Sequence, residues 1–228
     1  MTPSPELALD HVVVAARTLA DGIAWCRSTF GFEPEAGGKH PLMGTHNRIF
    51  SIAGPRWPKA YLEVIAIDPD APTPSHPRWF RLDEPRLQGA VANGPRLIHW
   101  VARCADVDAA AAALRSLGAE PGPALAAERA TPNGLLRWRI TVRADGTLAG
   151  RGAVPTLIEW GGVHPSASLA ASGVTLRSVT LGGIAPALAT WLGSVATVDP
   201  STSTPLRMVL DGPCGPVELV APDFEEPR

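Results

Sequence analysis

Only three cysteines occur in this chain of 228 residues, Cys26, Cys104 and Cys214, and none stands in CxxC spacing. That leaves neither a disulfide framework nor a thiolate zinc site to build on. No apolar run approaches the roughly 18 to 20 residues that a bilayer-spanning helix requires, so no membrane partner is expected. Neither sign of charge is in excess: Lys+Arg 20 against Asp+Glu 22 gives a net charge of -2. There is thus no electrostatic case for nucleic acid or an anionic lipid surface. The opening stretch Met-Thr-Pro-Ser-Pro-Glu lacks the basic and apolar regions of a secretory signal, and a cytoplasmic protein with reduced thiols is the expectation. A Gly-rich phosphate loop, a serine nucleophile elbow and an HExxH pair are also missing. A small-molecule partner is what these exclusions leave.

What is present is punctuation and repetition. With 24 prolines and 22 glycines in a chain that is 45% apolar, many turns and short elements are expected around a sizeable core. One arrangement recurs: an apolar strand carrying a histidine, a helix, and later an apolar strand carrying a glutamate. The first copy runs from Leu-Asp-His-Val-Val-Val, with His11, to Tyr-Leu-Glu-Val-Ile, with Glu63. The second runs from Leu-Ile-His-Trp-Val, with His99, to Leu-Ile-Glu-Trp-Gly, with Glu159.

Alternation puts Leu7, Leu9, His11 and Val13 on one face of the first strand and Ala8, Val12 and Val14 on the other. Leu19, Ile23, Cys26 and Phe30 then recur at helical spacing before Gly31. Strands are expected at 32–35, 47–52 and 60–67, giving βαβββ. The second copy repeats this with a strand at 97–103, a helix capped by Asp106 and stopped at Gly118, and strands near Glu120, at 135–142 and at 155–160. A shorter third copy has Glu218 on its last strand and Ser178 where the histidine would stand. The organisation is a first module over residues 1–68, a proline-rich connection or lid over 69–96, a second module over 97–164 and a shortened third over 170–222.

Glu63 and Glu159 sit in strands apolar on both faces, and an unpaired buried carboxylate costs several kcal/mol. Each therefore needs a metal, a basic side chain such as Arg48 or Arg139, a proton or solvent. If the copies face one another, His11, Glu63, His99 and Glu159 meet. Imidazole with carboxylate suits zinc, nickel, cobalt, manganese or iron better than calcium. Taken singly, each histidine is equally well an ordinary hydrogen-bonded core residue. Between two strands, His40, Thr45, His46 and Asn47 form a dense polar stretch that either lines the mouth of the cup and binds substrate or is a polar turn. Trp100 and Trp160, on strand faces opposite His99 and Glu159, are expected under helices, and Trp25, Trp138 and Trp191 in the core. Arg78-Trp79-Phe80-Arg81 either closes over an anionic substrate or pins the connection down.

The βαβββ copies with His and Glu on their first and last strands resemble the vicinal oxygen chelate superfamily. The runs from His11 to Ala15 and from Gly37 to Asn47, with Tyr61-Leu62-Glu63 and Leu157-Ile158-Glu159-Trp160-Gly161, resemble its glyoxalase-like domain family. The resemblance implies an α+β fold in which paired sheets form a curved open cup. It also implies a divalent metal on His11, Glu63, His99 and Glu159, with Glu159 or Glu63 moving a proton beside a carbonyl. The expected function is a metal-dependent lyase or isomerase acting through an enediolate-like intermediate. An iron(II) extradiol dioxygenase using His11, His99 and Glu159, or a metal-free drug or metabolite binder, stands beside it. An uncovered sheet face in the third copy suggests a homodimer.

Overall fold

The computed structural model describes residues 5–131 and 134–223. The first repeat comprises β1 (Ala8–Ala15), α1 (Leu19–Phe30), β2 (Glu35–His40), β3 (Thr45–Ser51) and β4 (Tyr61–Ile67). Local chemistry sets the helix ends: Thr18 Oγ1 accepts the Asp21 N–H at 3.1 Å, and Gly31 takes a left-handed φ of 83° just past the end. Strand β2 begins later than its expected place at 32–35. Phe32 is held by packing on Phe30 and Phe50, with ring centroids 6.2 and 5.1 Å away, so the chain leaving α1 is committed to the core before it can pair.

The second repeat comprises β5 (Arg96–Arg103), α3 (Val107–Ser116), β6 (Ala124–Thr131), β7 (Gly134–Thr141) and β8 (Thr156–Trp160), with α2 (Pro85–Val91) in the connection before it. No strand forms near Glu120, because its carboxylate accepts the Gly122 N–H at 2.9 Å and closes a turn. The strands of both repeats join in one sheet of order β2-β3-β4-β1-β5-β8-β7-β6. Within each repeat the first and last strands pair parallel, and β1 meets β5 antiparallel at the centre. This is the mixed α+β cup expected from the sequence.

Two apolar clusters lie on opposite sides of this sheet. On the outer side Val12, Val14, Leu62, Val64, Trp100 and Leu157 pack against Cys26 and Phe30 of α1 and Leu114 of α3. The inner side holds Val13, Ile65, Val101, Ile140 and Ile158. The third repeat, β9 (Thr175–Leu181), α4 (Pro186–Leu192), β10 (Thr197–Val198), β11 (Leu206–Gly212) and β12 (Gly215–Val220), forms its own sheet of order β10-β9-β11-β12. Its Leu176, Val179, Leu181, Met208 and Leu210 join the outer cluster, so the apolar face on which the dimer expectation rested is covered within the chain.

The connection is no open lid. Trp79, Phe80, Leu82, Leu87 and Val91 enter the inner cluster and fill part of the cup. Phe80 and Arg81 hold left-handed φ values of 58° and 61°, which cost about 1–3 kcal/mol each for such residues. Arg78 to Asp83 (2.6 Å from the backbone N–H) and Arg81 to Glu84 (2.6 Å) hold the turn in place. The basic pair therefore anchors the connection while its aromatic pair faces inward.

Helix α1 lies so close to β4 that a Cβ on Gly22 would overlap Val64 Cγ1. Val64 is β-branched and fully buried, so it has little room to yield. Gly22→Ala is expected to cost about 1–3 kcal/mol through overpacking. A thermal midpoint equal to that of the wild type would show that the interface is looser than described.

Candidate active site

The site begins with a defect in β1. Pairing of β1 with β5 shifts register between Leu9 and His11, leaving Asp10 as an extra residue in a bulge. Leu9 consequently joins Val12 and Val14 in the outer cluster, against the simple alternation that put it beside His11 and Val13. Asp10 is completely buried and collects three donors: His11 Nδ1 on Oδ1 at 2.7 Å, and Trp160 Nε1 (3.0 Å) and His164 Nε2 (2.9 Å) on Oδ2. Burial by itself would raise the Asp10 carboxyl, but hydrogen bonds from His11 and His164 outweigh it and hold the group well below the usual carboxylate range.

These contacts define the histidine tautomers. His164 Nδ1 accepts the Ser166 N–H at 3.1 Å, so its proton lies on Nε2 and points to Asp10. His11 gives its Nδ1 proton to Asp10, which leaves Nε2 as the basic nitrogen. That nitrogen lies 3.6 Å from Glu63 Oε2. The other Glu63 oxygen accepts Asn47 Nδ2 at 2.5 Å, and Asn47 Oδ1 accepts the Gly38 N–H at 2.7 Å. Tyr61 stacks on His11 with centroids 4.7 Å apart. Its hydroxyl is pushed well up, by burial first and then by the charges of Asp10 and Glu63, and stays protonated.

His11, Asn47, Tyr61 and Glu63 line one wall of a chamber whose far wall is Leu136, Trp138, Ile140, Ile158 and Trp160. Arg129 from β6 also lines it. Room for that side chain comes from β2, where a Cβ on Gly38 would overlap the Arg129 guanidinium and one on Gly37 would overlap the Asn47 amide. The two glycines lie where β2 and β3 shift register, between Ala36 and Lys39. The two edge strands of the sheet thus meet around a guanidinium.

Of the four residues expected to share a metal, the structure brings together two. Glu159 stands on the outer side of β8 with Leu157, accepts the Val107 N–H at the start of α3 (2.9 Å) and approaches Arg139 at 3.7 Å. Trp160, expected under a helix, takes the inner side instead. The strand is apolar on both faces, and in such a strand alternation does not say which set faces the cup. His99 is buried, but its Nδ1 donates to the Gly152 carbonyl (3.3 Å) and its Nε2 accepts the Thr156 N–H (3.0 Å), so no lone pair remains for an ion. A four-ligand divalent centre does not fit these residues. Among the described residues, no group of three or more His, Cys, Asp or Glu side chains is arranged to hold a metal.

The polar stretch between β2 and β3 divides as well. Asn47 orients Glu63, and His40 lines the chamber with Thr45 Oγ1 behind it at 3.1 Å from Nδ1. His46 lies on the other face, 3.8 Å from Asp68, and cannot touch a ligand in the cup. Sequence reasoning passed over Asp10, Arg129 and His164, quoted Tyr61 only as a neighbour of Glu63, and placed Trp160 under a helix. Asp10 was within reach of the argument applied to Glu63, since it too is a carboxylate in an apolar strand. The others carried no comparable signal.

Residues 9–196 match the family described as glyoxalase-like domain. A search of curated proteins returned no match. Among solved structures, a hypothetical protein from Staphylococcus aureus is similar at 14% identity with a TM-score of 0.56, over 96% of this chain and 88% of that one. Methylmalonyl-CoA epimerase from Streptomyces coelicolor has 21% identity and a TM-score of 0.43, over 69% of this chain and 100% of that one. The epimerase from Mycobacterium tuberculosis has 17% identity and a TM-score of 0.40, over 70% and 90%. At such identities the likeness to the Staphylococcus aureus protein is one of fold.

Burial lowers both His40 and His99 from the ordinary 6.5 to about 3, helped at His40 by the Arg129 charge and opposed at His99 by the bond to Gly152. The unfolded chain then binds protons that the native chain does not between roughly pH 6.5 and pH 3, so their stabilisation is complete above that window and declines as pH falls through it. Urea midpoints should drop between about pH 7.5 and about pH 5, and the slope should flatten in His99→Gln. Identical slopes in the two proteins would remove His99 from this account.

Proposed function

The chain belongs to the glyoxalase-like domain family, and from that premise we propose an isomerase-type enzyme that moves a proton at a carbon beside a carbonyl, in a small substrate with neighbouring oxygens. The observation that carries this reading is the separation of 3.6 Å between His11 Nε2 and Glu63 Oε2, each oriented from behind by its own buried partner. Asp10 holds the His11 tautomer and Asn47 holds the Glu63 carboxylate, so both basic atoms stand ready without rearrangement.

Glu63 removes the proton from carbon, and the C–H electron pair moves into the carbonyl to give an enediolate. His11 accepts the neighbouring hydroxyl proton on Nε2, becomes an imidazolium against the Asp10 carboxylate, and returns that proton to the former carbonyl oxygen. Glu63 then delivers its proton to the adjacent carbon. The sum is a hydrogen shift between neighbouring carbons with every proton accounted for. Asp10 is a positioning residue here, while Glu63 and His11 are the catalytic ones. The apolar wall of Trp138, Ile140 and Ile158 limits water around the intermediate. No step runs through a metal, since only these two of the four expected ligands converge.

The experiment is deuterium exchange in D2O over a panel of 2-hydroxy and 2-oxo carbonyl compounds, followed by NMR. Wild-type protein should exchange at least one compound after exhaustive chelation, Glu63→Gln should lose about 100- to 10,000-fold, and Glu159→Gln should stay near wild type. Exchange that vanishes with chelation and returns with zinc or nickel would replace this reading with the metal centre. Undiminished exchange by Glu63→Gln would end it.

A further inference from the structure

Arg129 is the only arginine or lysine lining the chamber among the described residues, and it has no assigned task in the proton transfer. Its Nε and Nη1 atoms are buried without a hydrogen-bond partner among the described residues. Glu63 influences it through charge but is not within ion-pair distance among the described pairs. Arg129 as a residue is half-buried, and keeping two of its guanidinium nitrogens desolvated without a partner is destabilising unless something else completes them. The backbone has been shaped for it, because Gly38 leaves the space the guanidinium occupies.

The surroundings describe the missing group. Next to Arg129 the chamber has a volume of about 40 Å³, room for one small polar group. It shares His40, Trp79, Trp138 and Ile140 with a groove of about 290 Å³ between the end of β2 and β6, where Leu42, Met43 and Leu125 add apolar surface and Lys39 and Glu128 add one charge of each sign. A second buried donor with no partner among the described residues, Trp79 Nε1, belongs to the residue shared by both compartments. We propose that this is a carboxylate-recognition site: Arg129 takes the carboxylate of an amphipathic ligand in its planar fork, and the ligand's apolar chain lies in the groove beside β6. A carboxylate can take Nε with Nη2, or Nη1 with Nη2, in two parallel hydrogen bonds, so either orphaned nitrogen is completed by it, and it fits the small compartment. As a statement about substrate, the inference rests on the proton-transfer reading. As a binding site it stands apart from it.

The test is isothermal titration calorimetry of the full chain with hexanoate, octanoate, 1-octanol, octylamine and inorganic phosphate. Wild-type protein should bind octanoate saturably and at least tenfold more tightly than 1-octanol or octylamine, with affinity rising roughly fourfold per methylene from hexanoate, and phosphate should not compete. Arg129→Gln should lose at least tenfold for octanoate and keep its affinity for 1-octanol, which also reports that the variant is folded, while Arg129→Lys should recover only part. Equal wild-type affinities for octanoate and 1-octanol would overturn the proposal without any variant, and so would octanoate binding unchanged in Arg129→Gln. Glu63→Gln should bind octanoate at least as tightly as wild type, because it removes a negative charge facing the chamber, while losing exchange, which separates failure of this site from failure of the catalytic reading.

Discussion

The hydrogen bonds that converge on Asp10 join two stretches of chain: β1, with His11 beside it, and the end of β8 with the turn that follows, which brings Trp160 and His164. A carboxylate with no solvent exposure is tolerated only when its lone pairs are filled, and removing one partner of a buried ionic pair typically costs about 3–5 kcal/mol. The bulge is what makes the arrangement possible. By adding one residue to β1 it places a carboxylate inside the sheet next to the histidine and turns the rest of the strand so that Val12 and Val14 still serve the outer core. The orientation of His11, and through it the distance to Glu63, follows from this one carboxylate.

The two repeats have come to use equivalent residue types for different ends. In the first, the glutamate faces the chamber and the histidine keeps a free nitrogen. In the second, Glu159 meets the N-terminus of α3, where a negative charge is favourable, and His99 spends both nitrogens on backbone groups. The second repeat contributes instead the apolar wall, Trp160 and Arg129. Chemistry from one half and enclosure from the other give the chamber its polarity gradient, from the buried ionic cluster to the groove lined by Leu125, Met43 and Ile140. The Trp79–Phe80 segment sets the depth of that space, held in a left-handed turn by ion pairs on either side of it.

Much of the architecture was legible in residues 7–220. Both strand-helix units, the Gly31 stop, the Asp106 cap and the third copy follow from periodicities and end signals that act over a few residues. The first half of the site was legible for a related reason: a histidine and a glutamate in strands that otherwise exclude polar groups. Arg129 was invisible because β6, with alternating exposure and sequence Ala-Leu-Ala-Ala-Glu-Arg-Ala-Thr, looks like a solvated segment until the sheet curls and its edge meets β2. Trp160 and Glu159 exchanged their expected faces because Leu157 and Ile158 are both fully apolar neighbours and lend no sign to either side.

The sequence by itself determined the order of elements, their repetition and the polar residues worth asking about, since caps, turns and side-chain spacing are local interactions. Only the tertiary structure decided which of those residues meet. A strand buried on both faces carries no periodic mark of its inner side, and one extra residue at Asp10 is enough to reverse the face of what precedes it.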